Sequence, residues 1–105
     1  MIGRIWHGWT SLENAETYER LLKEEIFKGI QEREIPGYHG INLFRREIDG
    51  EVEFITLMWF DSIEAVHDFA GEDYEAAVVP EKARAVLKRF DARSQHYEMR
   101  TEQRI

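Results

Sequence analysis

The sequence predicts an α+β domain whose elements follow in the order β-α-β-β-α-β. Two observations carry this prediction. Strand-like runs and amphipathic helical stretches alternate along the chain. The pair Asp49-Gly50 separates two strand-like runs, and this dipeptide is typical of a tight hairpin turn. We therefore expect a four-stranded antiparallel sheet with its helices on one face.

The first half of the chain contains a strand, a helix and a second strand. Residues 2–10 (IGRIWHGWT) form the first strand, with apolar side chains on both of its faces. Asn14 is placed to cap a helix. The inner stripe of this helix has the three- and four-residue spacing of an amphipathic helix: Ala15, Tyr18, Leu22, Ile26 and Ile30. Pro36-Gly37 ends the helical segment, and residues 38–48 form the second strand.

The second half begins with a strand over residues 51–60. Asp61 opens the sequence DSIE, which has the spacing of a capping box and predicts a helix. Gly71 is the expected end of that helix. Pro80 is placed near the first position of another helix.

The last strand is predicted over residues 92–101, so that one domain spans residues 1–101 and a loose tail spans 102–105. The whole order is that of the ferredoxin-like split β-α-β arrangement. A chain of 105 residues with 43% hydrophobic and 33% charged side chains has the size and composition of one globular domain. It has no cysteine, which excludes disulfides and thiolate zinc sites.

The net charge of −7 disfavours nucleic acid and anionic membranes as partners, since both attract basic surfaces. No apolar run is long enough to span a bilayer, and the first residues lack the pattern of a signal peptide. The expected location is therefore the cytoplasm.

Both faces of the first and third strands are apolar. In the third strand, Phe54 and Met58 share one face, while Ile55 and Trp59 share the other. Helices can cover only one face of a sheet, and soluble monomers rarely expose a large apolar patch. The sequence therefore predicts a homodimer that pairs through the uncovered face. Its expected interface residues are Trp6, Trp59 and Tyr97.

Four strings cover nearly the whole chain: ENAETYERLLKEEI at 13–26, IPGYHG at 35–40, EVEFITLMWFDSIEAVHDFAGEDYEAAVVP at 51–80 and RFDARSQHYEM at 89–99. In these strings the chain resembles the antibiotic biosynthesis monooxygenase (ABM) domain family of the dimeric α/β-barrel superfamily. The resemblance implies a dimeric α/β barrel. For activity it implies cofactor-independent oxygenation of aromatic or quinol compounds, haem degradation, or a role in stress or detoxification.

The haem-degrading branch uses an Asn in the first strand, a Trp at the end of the third, and a His as iron ligand after the second helix. The corresponding positions here are His7, Phe60 (with Trp59 adjacent) and Val78. A Val side chain cannot ligate iron. The departures at all three positions argue against haem degradation.

His7 is the candidate catalytic base. It lies mid-strand on the same face as Ile5, and an imidazole that titrates near neutral pH suits proton removal from a phenol or hydroquinone. This role requires that its face line a pocket between sheet and helices. The alternative is a structural histidine that bonds to a neighbouring element.

The candidate substrate-binding residues are Trp9, Phe60, Tyr74 and His67, with the Tyr74 hydroxyl at the pocket mouth. For Arg4, which shares a face with Trp6, a carboxylate such as Glu98 at the dimer interface is the expected partner. The four histidines show no metal-binding spacing, and no glycine-rich nucleotide motif is present, so neither metal nor cofactor is expected.

These observations lead to one expected function and two rivals. The expected function is a cofactor-independent monooxygenase-like protein that acts on an aromatic or quinol molecule. The alternatives are a non-catalytic, small-molecule-binding or stress-related protein of the same fold, and a structural dimer whose core is solid.

Overall fold

The computed structural model describes residues 1–105. The strands are β1 (Ile2–Ser11), β2 (Tyr38–Ile48), β3 (Glu51–Phe60), β4 (Arg89–Phe90) and β5 (Gln95–Glu98). The helices are α1 (Ala15–Leu21), α2 (Phe27–Glu32), α3 (Ile63–Ala70) and α4 (Glu81–Arg84), and a π-helical turn (Leu22–Ile26) joins α1 to α2. The predicted α+β class and the order of strands and helices are confirmed.

All strands pair antiparallel in one open sheet. β3 lies between β2 and β1, and both β4 and β5 pair with the other edge of β1. The last strand predicted over 92–101 is present as β5 but is shorter, and the short strand β4 before it was not predicted. Between β4 and β5 the chain pairs with the loop after α3, where Ser94 N donates to Glu75 O and Ala77 N donates to Ala92 O. These hydrogen bonds pair backbone groups of the segment between β4 and β5.

The β2–β3 hairpin turns at Asp49 and Gly50, as predicted. Their φ angles of 51° and 74° are both left-handed. A two-residue turn of this kind matches the twist of the strands it joins, and Asp and Gly tolerate the left-handed region.

Helix α3 is capped one residue later than predicted. The Ser62 hydroxyl accepts a hydrogen bond from Ala65 N at 3.3 Å. Asp61 instead pairs with His39, with 2.6 Å between Oδ1 and Nε2. Gly71 ends the helix at a φ of 92°, as predicted. The helix expected after Pro80 is also present, although it is only four residues long.

The helices cover one face of the sheet. Arg4, Trp6 and Thr10 of β1 point towards them and are buried, and Phe54 and Met58 of β3 do the same. The opposite face carries no helix and is called the open face below. Its main side chains are Ile5, His7, Trp9, Phe44, Ile55, Leu57, Trp59 and Tyr97.

The core between helices and sheet consists of two apolar clusters. Trp6, Tyr18 and Phe54 belong to one, and Phe60 and Val66 belong to the other. Tyr18 and Phe54 meet edge to face at 4.9 Å between ring centroids, a favoured aromatic geometry. None of the helices is long and apolar enough to cross a membrane.

Candidate functional site: a cavity between the sheet and the helices

A cavity of about 50 Å³ lies between the sheet and the helices, and we call it the inner cavity. Twelve of its sixteen lining residues are hydrophobic. The π-helical turn runs along it, so that Leu22 and Ile26, four residues apart, both reach its wall. A π turn displaces a helix locally and often marks a functional site.

The inner cavity continues into an outer groove of about 420 Å³ at the surface. Five residues line both spaces: Ile26, Ile30, Phe69, Val78 and Pro80. The rim of the groove carries the charged side chains Glu25, Arg33, Glu81 and Lys82. The outer volume lies within the range of small-molecule sites, whereas the inner one has room only for a few atoms.

Arg4 supplies the charged group of the inner cavity. It is 3% exposed. Its Nη1 donates to the carbonyl oxygen of Tyr74 and lies 3.0 Å from His96 Nε2, and its Nη2 donates to Ala76 O at 3.0 Å. Its guanidinium carbon lies 5.4 Å from the centre of the Phe69 ring. Burial lowers the pKa of Arg4 to about 10, because the apolar surroundings disfavour its charged form.

Three hydroxyls join Arg4 at the cavity wall, those of Tyr18, Thr56 and Ser94. The Ser94 side chain is 3% exposed, and its Oγ has no hydrogen-bond partner. Buried hydroxyls are normally paired, so an unpaired one beside a cavity points to a partner inside the cavity. Burial raises the pKa of Tyr18, which keeps its hydroxyl neutral.

Among the solved structures that match the chain, one does so over nearly its whole length. It is the crystal structure of a protein from Bacillus cereus named "Putative Antibiotic Biosynthesis Monooxygenase". The TM-score is 0.59 at 14% sequence identity, and the match covers 99% of this chain and 96% of that chain. The two chains share one fold. The arrangement predicted from the sequence is thereby confirmed, whereas no family model and no curated protein matches the chain.

His7 and Trp9 lie on the open face, not in the cavity, so the predicted pocket around His7 is wrong. The imidazole Nδ1 of His7 lies 2.8 Å from Glu53 Oε2, and Arg46 Nε donates to the other oxygen of Glu53 at 2.7 Å. These hydrogen bonds, first that of Arg46 and then that of His7, hold the pKa of Glu53 below its usual value. The Trp9 ring packs under the Arg89 guanidinium at 4.0 Å.

Trp6 and Arg4 are also on the side opposite to the one expected. Trp6 is 8% exposed, lines the inner cavity and donates from Nε1 to Asp91 O at 2.8 Å. It therefore belongs to the core rather than to an interface on the open face. Arg4 bonds backbone carbonyls and His96 instead of Glu98. Trp59 and Tyr97 do lie on the open face.

The remaining predicted binding residues surround the cavity without lining it. Phe60 is fully buried in the second apolar cluster. Tyr74 holds Arg4 through its carbonyl, and its ring contacts the rings of His67 and His96 at centroid distances of 4.7 and 5.1 Å. Phe60, His67 and Tyr74 are therefore not among the residues that line the cavity.

Sequence analysis missed the cavity residues Arg4, Thr56 and Ser94. The alternation of side chains along β1 could have found Arg4, since it places Arg4 on the same face as Trp6. Val78, at the position of the iron ligand in the haem-degrading branch, lies at the mouth of the cavity. No group of three or more His, Asp or Glu side chains converges as a metal site.

Proposed function

We propose that this protein is an ABM-type monooxygenase that acts, without a cofactor, on an aromatic or quinol molecule bound between the sheet and the helices. One observation carries the proposal: an apolar inner cavity with buried polar groups opens into a ligand-sized groove. The shared fold with a protein named as such a monooxygenase is consistent with it.

The chemistry requires an electron-rich substrate. When a hydroquinone gains one oxygen atom and becomes a hydroxyquinone, the ring supplies all four electrons that reduce O₂. One oxygen atom stays in the product and the other leaves as water, so no external reductant is needed. The protein has to bind the ring, exclude bulk water and stabilise the ionised form of the substrate.

Oxygen uptake with a panel of benzo- and naphthohydroquinones tests the proposal. Val78→Trp fills the mouth of the cavity with a larger side chain and should lower the rate at least about tenfold, since the substrate no longer reaches its position. Leu12→Trp is the matched control, because Leu12 is also half exposed but lies away from the cavity and the groove.

The same measurement decides the role of His7. His7→Ala should consume oxygen at the wild-type rate, because His7 faces away from the cavity. A loss of activity in this variant would restore His7 as a candidate base. Uptake no faster than spontaneous oxidation across the whole panel would reject the monooxygenase.

A non-catalytic binding protein is the second candidate. The observation in its favour is that the inner cavity contains no His, Asp or Glu side chain, so it lacks an ordinary general base. Binding of hydroquinones without oxygen uptake would select this candidate.

We also propose a homodimer that pairs through the open face. Seven of its eight main side chains are apolar or aromatic, and Phe44 and Tyr97 are more than half exposed in the single chain. Asn42, Arg46 and Glu53 interrupt this face, but its apolar part is still a patch of the kind that interfaces cover.

A further inference from the structure

Arg4 is a buried cation without an anionic partner. Five other arginines of the chain form ion pairs with carboxylates: Arg45, Arg46, Arg89, Arg93 and Arg104. Arg4 has no carboxylate in reach and bonds only carbonyl oxygens and an imidazole nitrogen. Burying a charge without an ion of opposite sign is costly, so the buried guanidinium of Arg4 is a candidate binding group for an anionic ligand.

The guanidinium of Arg4 has donors to spare. It carries five N–H groups. Three bonds use the two hydrogens of Nη1 and one hydrogen of Nη2. The N–H of Nε and the second N–H of Nη2 are left without an acceptor in the protein, and two donors match the two oxygens of a carboxylate.

The surroundings of these donors fit a carboxylate as well. Ser94, whose buried hydroxyl is unpaired, and Thr56 line the same small cavity. Its volume of about 50 Å³ admits a group of a few atoms, whereas the groove of about 420 Å³ outside it admits a ring. Phe69 lines both spaces, so a ring in the groove would lie beside it.

We propose that the protein binds aromatic carboxylic acids, with the carboxylate in the inner cavity on Arg4 and Ser94 and the ring in the outer groove. This inference rests on the proposed function, whose substrate class it narrows from any hydroquinone to one that bears a carboxylate.

The net charge of −7 works against an anionic ligand at long range. Arg33 on the rim of the groove offsets this locally. Its guanidinium carbon also lies 5.4 Å from the Phe69 ring, and it too bonds carbonyl oxygens rather than a carboxylate. Glu25, Glu81 and Lys82 also line the groove, and Lys82 pairs with Glu25. The charge that favours a carboxylate is therefore concentrated on Arg4 in the inner cavity.

Calorimetric titration with 2-naphthoate and 2-naphthamide tests the inference, since the two probes have the same ring and nearly the same shape. The wild type should bind the acid about tenfold or more tightly than the amide, because only the acid makes charged hydrogen bonds with Arg4. Arg4→Gln should bind both probes equally.

Two further variants keep the test independent of folding. Ser94→Ala removes an unpaired hydroxyl, leaves the anchoring bonds of Arg4 intact, and should reduce the preference for the acid several-fold. Arg20→Gln is the control, because it removes the same charge as Arg4→Gln from an exposed position of α1 that lines neither the inner cavity nor the groove, and it should keep the preference.

Equal affinity of the wild type for both probes would overturn the carboxylate site while leaving an aromatic site in place. Binding of neither probe would overturn it too, and oxygen uptake with hydroquinones then decides separately on the proposed function. A preference lost equally in Arg20→Gln and Arg4→Gln would mean general charge attraction and would reject Arg4 as the anchor.

Discussion

At the scale of single residues, Arg4 and His96 form the polar centre of the core. Arg4 donates to His96 Nε2, so the neutral imidazole carries its hydrogen on Nδ1, which is buried and unpaired. Protonation of Nε2 would replace the acceptor of this hydrogen bond with a second donor that faces the Arg4 guanidinium. Burial first, and the charge of Arg4 second, hold the pKa of His96 below its usual value of 6.5.

This shift predicts a pH dependence of stability. Because the folded protein resists protonation of His96, this residue contributes stability that is present above pH 6.5 and is lost as the pH falls towards the lowered pKa of the folded state. Glu75 acts in the opposite direction, since its negative charge raises the pKa of His96.

His96→Gln removes the titrating group and keeps an acceptor for Arg4. Its free energy of unfolding should fall less steeply than that of the wild type as the pH drops from about 7 to about 5. Denaturant titrations at one fixed protein concentration measure the two slopes. Equal slopes would exclude His96 as the source of the pH dependence.

At the scale of elements, Gly8 allows side chains of the core to pack directly against the backbone of β1. A β-carbon at Gly8 would lie 2.6 Å from Cη2 of Trp6 and 3.2 Å from Leu87 Cδ2. The indole ring therefore lies over the backbone of Gly8, and its Nε1 bonds Asp91 O. The glycine is needed for this close approach and not for an unusual backbone angle.

Gly8→Ala should reduce the free energy of unfolding by about 1–3 kcal/mol, because the methyl group displaces the Trp6 ring. Gly29→Ala is the matched control, since Gly29 is exposed on α2 and a β-carbon there meets no atom within 4 Å. That variant should gain about 0.5–1 kcal/mol from helix propensity. Chemical denaturation of both proteins checks the contrast, and similar changes in the two would contradict it.

At the scale of the whole molecule, the sheet is covered on one side and bare on the other. The predicted homodimer should have twice the chain mass of 12.5 kDa in light scattering. Phe44→Glu places a charge on the open face and should raise the dimer dissociation constant at least about tenfold, since burial of an unpaired carboxylate is costly.

Leu12→Glu is the control for this experiment. Leu12 is 50% exposed and Phe44 is 53% exposed, but Leu12 lies outside the sheet. It should leave the dimer intact. A wild-type mass of one chain at micromolar concentration would reject the dimer.

The candidate site was only partly predictable from sequence, and β1 shows why. Alternation places Arg4 with Trp6 and His7 with Trp9 in any strand, so this grouping followed from the residues. Each of the two faces carries a tryptophan, so the alternation of residues does not indicate which face the helices cover. His7 was expected on the covered face and lies on the open one, because packing against the helices, not composition, decides which face is covered.

The same distinction applies to the whole chain. The sequence alone determined the class, the order of elements and the hairpin at Asp49-Gly50, because these depend on local periodicity and turn chemistry. The tertiary structure alone decided that Arg4 and Ser94 meet at an inner cavity, and that a second short strand, β4, pairs with β1 beside β5. These features depend on contacts between residues about 90 positions apart, such as Arg4 and His96, which no local pattern encodes.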